Sequence, residues 1–299
     1  MRIILLAGAL ALAPAQSPQT VHQQFTAGDA RTRVHILNDI AASRSRVPVT
    51  EVIALVREAE RDDSADVRTS AMAAVAGRAS VARWAGTMGP GVGPSPPGVP
   101  PPLPREPFPA EWKHDQQILR RDLYDDCVRL MRSDPDATVR RYAVIALVNM
   151  ERPPGSDDTF PESFMSALAV VYRADQDDHL RAEVVKTFRL VPNNTTEIRD
   201  VLRRALIDPG KSARYEALMA LDPPATGGHI KLSWPEAEEV LRPALTNPDA
   251  VLRLSAVQAI RAFGPAARGQ LAALESIRDR DPDPSVRAVA ESAIRAIRR

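Results

Sequence analysis

Aromatic side chains are scarce in this chain, 4% of 299 residues, so a single large core built on Phe, Tyr and Trp is excluded. Alanine-rich helix packing has to bury most of the apolar surface instead. Cysteine is nearly absent as well. Cys127 stands alone, which rules out an intramolecular disulfide, and it falls in an apolar helix-period stretch where a buried free thiol is expected. A catalytic cysteine wants a neighbouring base, and the sequence around Cys127 offers none. An excess of either charge is also missing: Lys and Arg number 39 against 38 acids. Nucleic-acid binding needs a net basic face, which this balance does not supply. The Arg-rich end, with Arg278, Arg280, Arg287, Arg295, Arg298 and Arg299, reads as the solvated face of a terminal helix.

Catalytic and metal motifs are absent too. There is no H-E-x-x-H, no G-x-S-x-G and no phosphate-cradling glycine loop. His22, His35, His114, His179 and His229 are scattered, none at metal-ligand spacing from another His or Cys. The acid runs Asp157-Asp158 and Asp175 to Asp178 lack the glycine and distal Glu of a calcium loop and read as turn residues. No catalytic residue, metal or cofactor is therefore expected.

What the chain does have is one seven-residue frame, D-P-D-A-T-V-R at Asp134 to Arg140, that recurs. An acid or amide stands six residues before an arginine in Asp62/Arg68, Asp134/Arg140, Asp175/Arg181, Asp208/Arg214, Asn247/Arg253 and Asp281/Arg287. Pro135, Pro209, Pro248 and Pro282 follow the acid or amide directly, a pattern that predicts an N-cap followed by proline at the first helical position. Counted from the residue before each arginine, positions +4 and +7 are mostly alanine and +8 is mostly large. The +8 residues are Val75, Leu147, Phe188, Leu221, Ile260 and Ile294. That is one stripe of a 3.6-residue helix, and its small residues let a neighbouring helix approach closely.

A second apolar helix-period stretch precedes each frame, at 49–60, 115–132, 161–173, 195–206, 235–246 and 268–279. Two of these open with capping boxes, Thr159-Phe160-Pro161-Glu162 and Ser233-Trp234-Pro235-Glu236. The unit is helix, turn, helix. Successive arginines lie 72, 41, 33, 39 and 34 residues apart, and periods in the thirties to forties signify a helical solenoid.

With these residues in view, the chain resembles the HEAT repeat family in its short bacterial form, also found in phycobilin lyases. The resemblance covers roughly Pro48 to the end, less one insertion. It implies an all-α, right-handed α-solenoid of about six HEAT-like helical hairpins that serves as a scaffold. It further implies a ladder of Asp and Arg through the inter-repeat turns, formed here by Asp62, Arg68, Asp134, Arg140, Asp175, Arg181, Asp208, Arg214, Asn247, Arg253, Asp281 and Arg287. Asn247 departs from the pattern by losing the charge.

In chain order, residues 1–15 read as a secretory signal: Met1-Arg2, an apolar stretch from Ile3 to Leu12, then Ala13-Pro14-Ala15 as a cleavage site. The Ala, Arg and Pro bias points to a bacterial source, hence export to the periplasm or the medium. Residues 16–48 form an N-terminal helical cap and 49–84 the first repeat. A Pro/Gly-rich disordered insertion occupies 85–110, and five repeats fill 111–299. The insertion reads as a spacer, or alternatively as a docking motif for an aromatic groove. Asn193-Asn194-Thr195-Thr196 has sequon form but stands where a turn and cap are needed.

The second helices also present outward positions, +2 and +6, which in the family line the concave side. These hold Arg141, Ile145, Lys186, Tyr215, Met219, Leu254 and Gln258, a mix of apolar, aromatic and cationic groups suited to a protein partner. The reading is an exported, non-catalytic protein-binding scaffold. The alternative is an enzyme or enzyme accessory, such as a lyase-like ligand chaperone or the repeat arm of a catalytic system on another chain.

Overall fold

The computed structural model describes residues 20–42, 47–80, 110–151, 160–190, 195–221 and 232–299. The signal segment, all but the last residue of the insertion, Thr159, the Asn193-Asn194 pair and His229 lie outside them. The described residues form helices with no strand among them.

Among the described residues seven helical pairs follow one another: α1 (Val21–Ala27) with α2 (Ala30–Ala41), α3 (Val49–Ala59) with α4 (Ala65–Ala79), and α5 (Ala110–Ser133) with α6 (Ala137–Glu151). Then come α7 (Glu162–Ala174) with α8 (Asp178–Leu190), α9 (Thr196–Ala205) with α10 (Lys211–Leu221), α11 (Trp234–Ala244) with α12 (Ala250–Phe263), and α13 (Leu271–Arg280) with α14 (Pro284–Arg298). The even-numbered second helices pack each on the next from α2 to α14, and each also packs on its own first helix. This is a HEAT-like α-solenoid. A 3-10 segment, Gly264–Gln270, joins α12 to α13, and its first residue has φ 54, a left-handed conformation open to glycine.

The sequence stripe is the core. Ala71, Val75, Ala143, Leu147, Val184, Phe188, Ala256, Ile260, Ala290 and Ile294 are all buried. Alternating small and large residues let one second helix seat against the next, and each large side chain removed from water contributes about 1.5–3 kcal/mol. One close approach is at Gly77 in α4, where a Cβ would stand 2.3 Å from the Ala41 carbonyl oxygen at the end of α2.

The helix starts differ from the expected N-cap and N1 proline. In all six frames the acid or amide closes an Asx turn, its side-chain oxygen accepting the backbone N–H two residues on at 2.7–2.9 Å. The helix begins after that turn, and in four of the frames it is capped by the acid two residues on, Asp136, Asp177, Asp249 or Asp283. Asp136 accepts from Thr138 N–H at 2.7 Å, and Asp249 and Asp283 cap α12 and α14 in the same way. Each proline therefore sits inside the turn, where its missing N–H costs nothing. The Ser233 box opens α11 as expected, with the Glu236 carboxylate accepting from Ser233 N–H at 2.8 Å.

One start is capped from outside its own repeat. Gly210 stands at the α10 position that Asp136 holds before α6, and the Asp178 carboxylate at the start of α8 accepts from Ser212 and Ala213 N–H at 3.0 and 3.1 Å. A Cβ on Gly210 would lie 1.9 Å from that carboxylate, so glycine is required for the borrowed cap.

Candidate functional site

Polar side chains meet in the turns between helices and on the exposed face of the second helices, among other places. The turns hold the Asp–Arg ladder, and it connects different residues from those within one frame. Four of the six frame arginines each reach the acid of the following repeat. Arg68 donates to Asp134 at 2.8 and 3.0 Å, Arg140 to Asp175 at 2.7 and 2.9 Å, Arg181 to Asp208 at 2.8 and 3.0 Å, and Arg253 to Asp281 at 2.8 and 2.9 Å. Its remaining nitrogen, Nη1, donates back to the carbonyls of its own turn, as Arg140 does to Asp134 and Pro135 at 2.9 and 3.2 Å. One guanidinium thus satisfies two repeats, and the bidentate fork fixes the angle between them.

The ladder starts one repeat earlier than the six frames indicate. Arg33 in α2 pairs with Asp62 at 2.9 Å and donates to the Gly28 carbonyl at 2.9 Å. Its frame escapes notice because Ala27 and Gly28 replace the acid and proline. The legible signals were the N-cap Asp29 and the 35-residue spacing from Arg33 to Arg68. At the other joint, Asn247 keeps the Asx turn, and among the described residues Arg214 has no carboxylate across from it. Arg214 retains the Asp208 and Pro209 carbonyls at 2.5 and 2.8 Å.

Electrostatics follow the geometry. The Arg253 guanidinium holds Asp281 below its ordinary range, against a smaller opposing effect of burial. Burial pushes Asp175 up, but hydrogen bonds from Arg140 and Asp177 N–H outweigh it and the group is lowered. Tyr172 donates to Asp208 at 2.9 Å, and burial raises its pKa. The acid run from Asp175 to Asp178 is thereby assigned: Asp175 is a rung, Asp177 caps α8, and Asp178 caps α10.

Other displaced titrations lie between helices. The Cys127 thiol is fully buried beside Met72, its Sγ 3.7 Å from the Sδ, and burial raises its pKa strongly. A thiol held protonated is a poor nucleophile. Glu60, buried at the end of α3, is raised by burial and then by the Asp126 charge, although Arg129 stands 3.0 Å away. Burial pushes Tyr124 up to about 12.

The second-helix face carries a shallow groove of about 440 Å³ across α6, α8 and α10. Of the predicted partner-binding residues it brings together Arg141, Lys186 and Tyr215. Tyr215 is 59% exposed, the largest exposure among the big apolar side chains described. Ile145 and Leu254 are half-buried and pack against the core, and Met219 and Gln258 are half-buried along the same face, outside the groove lining. His179, Ala182, Glu183, Lys211, Ser212 and Glu216 complete the groove. Sequence reasoning passed over five of these because it followed only +2 and +6, and over Ala182, which stands at +2, because alanine offers a partner only a methyl group. Position −1 in the same count gives His179 and Ser212, three residues from +2 and so on the same helix face.

The groove's acids are already neutralised, Glu183 by Lys186 at 3.3 Å and Glu216 by Arg189 at 3.2 Å. Among the described residues Arg141 and Lys211 have no ion pair. The Arg141 guanidinium lies 5.5 Å over the Tyr142 ring, and its buried Nε has no hydrogen-bond acceptor.

A second depression of about 350 Å³ lies on the first helices around Arg173, Asp200, Arg203 and Glu236. There the cations are paired: Arg173 with Asp200 at 3.5 Å, Arg199 with Glu236 at 3.1 Å, and Arg203 with Asp200 and Glu239 at 2.9 and 2.5 Å. The Arg-rich end is largely paired as well, Arg278 with Asp279, Arg295 with Glu291 and Arg298 with Glu275.

Among solved structures the chain is similar to an archaeal HEAT-like repeats protein from Thermococcus onnurineus NA1, with TM-score 0.49 and 10% identity, over 94% of this chain and 98% of that one. It is also similar to a designed armadillo repeat protein, with TM-score 0.36 and 16% identity, over 93% and 98%. No protein-family model and no curated protein matches the chain.

Proposed function

We propose that this chain is an exported, non-catalytic scaffold that holds a protein partner on the second-helix face of its repeats. The observation that carries the reading is the groove across α6, α8 and α10, where an exposed Tyr215 and cations without ion pairs stand on packed helices. Aromatic and Arg groups on a rigid base are what protein interfaces favour at their centres, since little ordering entropy is lost on contact. The polar groups of the turns, by contrast, are consumed in joining repeats. Export rests on the leader-like residues 1–15.

The test is capture of partners from the native periplasmic or extracellular fraction by residues 16–299, with and without 85–110, and with Tyr215→Ala. Retention by both lengths and loss with Tyr215→Ala supports the reading. Binding that follows the insertion would make the array a carrier for a polyproline ligand. If nothing protein-sized is retained, the scaffold reading fails and the enzyme-accessory alternative takes its place.

A further inference from the structure

Resting on that reading, we infer that the second-helix groove selects an extended partner segment with acidic residues at one end and apolar residues at the other. The face is divided by chemistry. At the α6, α8 and α10 end stand Arg141 and Lys211, without ion pairs among the described residues, with His179 between them and both groove acids already bound to other cations. Toward α12 the same face turns apolar. Tyr215 is 59% exposed and Val251 48% exposed, with Leu254 beside them on the helix packed next to α10. Val251 occupies in α12 the position that His179 and Ser212 occupy in α8 and α10, so it continues the groove line.

Charge complementarity gives the acid. A carboxylate between Arg141 and Lys211 would supply the counter-charge that both lack among the described residues. The unpaired cations repel one another until an anion arrives, whereas the first-helix depression has no such deficit. Span gives the length. Packed helices lie about 8–10 Å apart, so α6 to α12 is roughly 30 Å, about nine residues of extended chain at ~3.3 Å each.

The experiment is selection of phage-displayed random decapeptides on the immobilised protein, followed by fluorescence anisotropy of a selected peptide and its acid-to-amide version. The expected result is enrichment of Asp and Glu toward one end and of Leu, Ile, Val or aromatic residues toward the other. Replacement of the acids by amides, or the exposed charge reversal Lys211→Glu, should weaken binding about tenfold or more. Arg132→Glu, an exposed change on α5, should leave it unaltered. Selection of neutral or basic peptides, selection of none, or equal binding by the amide version overturns the inference. If native partner capture still depends on Tyr215 while acids prove irrelevant, only this inference falls and the scaffold reading stands. Loss of both would remove the scaffold reading too.

Discussion

The turns and the second-helix face both carry cations, yet one region uses its charges internally and the other leaves some without a partner. In the turns every described guanidinium from Arg33 to Arg287 reaches a carbonyl of its own turn, and five of them reach a carboxylate one repeat ahead. On the groove, Arg141 and Lys211 are tethered to rigid helices without an anion among the described residues. The count of cations alone says little: the partner within reach decides whether one joins repeats or faces outward.

Substitutions separate the two regions, and the largest effect is expected at a deeply buried rung. Arg181→Ala leaves the Asp208 carboxylate buried beside Tyr172 without its cation, and should cost roughly 3–5 kcal/mol in urea unfolding. Arg140→Ala acts on a more solvated rung and should cost about 1–3 kcal/mol in the same measurement. An equal loss at both would mean that burial does not grade the ladder.

Asn247→Asp should work in the opposite direction. It keeps the Asx turn and offers Arg214 the missing carboxylate, so thermal unfolding should shift upward by the equivalent of about 1 kcal/mol. A lowered midpoint would show that this joint is built without a rung for a reason of its own.

Glu60→Gln tests the buried acid. The folded-state pKa of Glu60 is raised by burial and then by Asp126, so the folded state binds its proton more tightly than the unfolded chain. Stability is therefore lost as pH rises from the ordinary Glu range through that raised value. The Gln variant should be more stable than the parent at neutral pH and equal to it in acid. A constant difference across pH would refute that assignment. The smallest stability change is expected for Tyr215→Ala, within about 0.5 kcal/mol because the side chain is exposed. Its effect should appear in partner capture; a large destabilisation would place Tyr215 in the packing and erase the contrast between the regions.

The phase of the helices, and six of the seven described pairs, followed from the chain alone. Alanine at +4 and +7 with a large residue at +8 repeats at helical spacing, and burial of that stripe is a local matter between neighbours. Sequence also pointed to Asp and Arg as the turn residues, because their spacing is constant. What it could not supply was the pairing. Arg140 bonds Asp175 across 35 positions rather than the Asp134 carboxylate in its own frame, and Arg33 joins through a carbonyl that Gly28 provides as well as any residue could. Likewise Asp178 caps α10, a role visible only once α8 lies beside Gly210. The groove shows the same division. Tyr215 and Lys186 were readable from periodicity, while Lys211 and His179 became groove residues because three helices place them together. Local periodicity is written along the chain; which charge meets which is decided by the distance between repeats, and only the folded stack sets that distance.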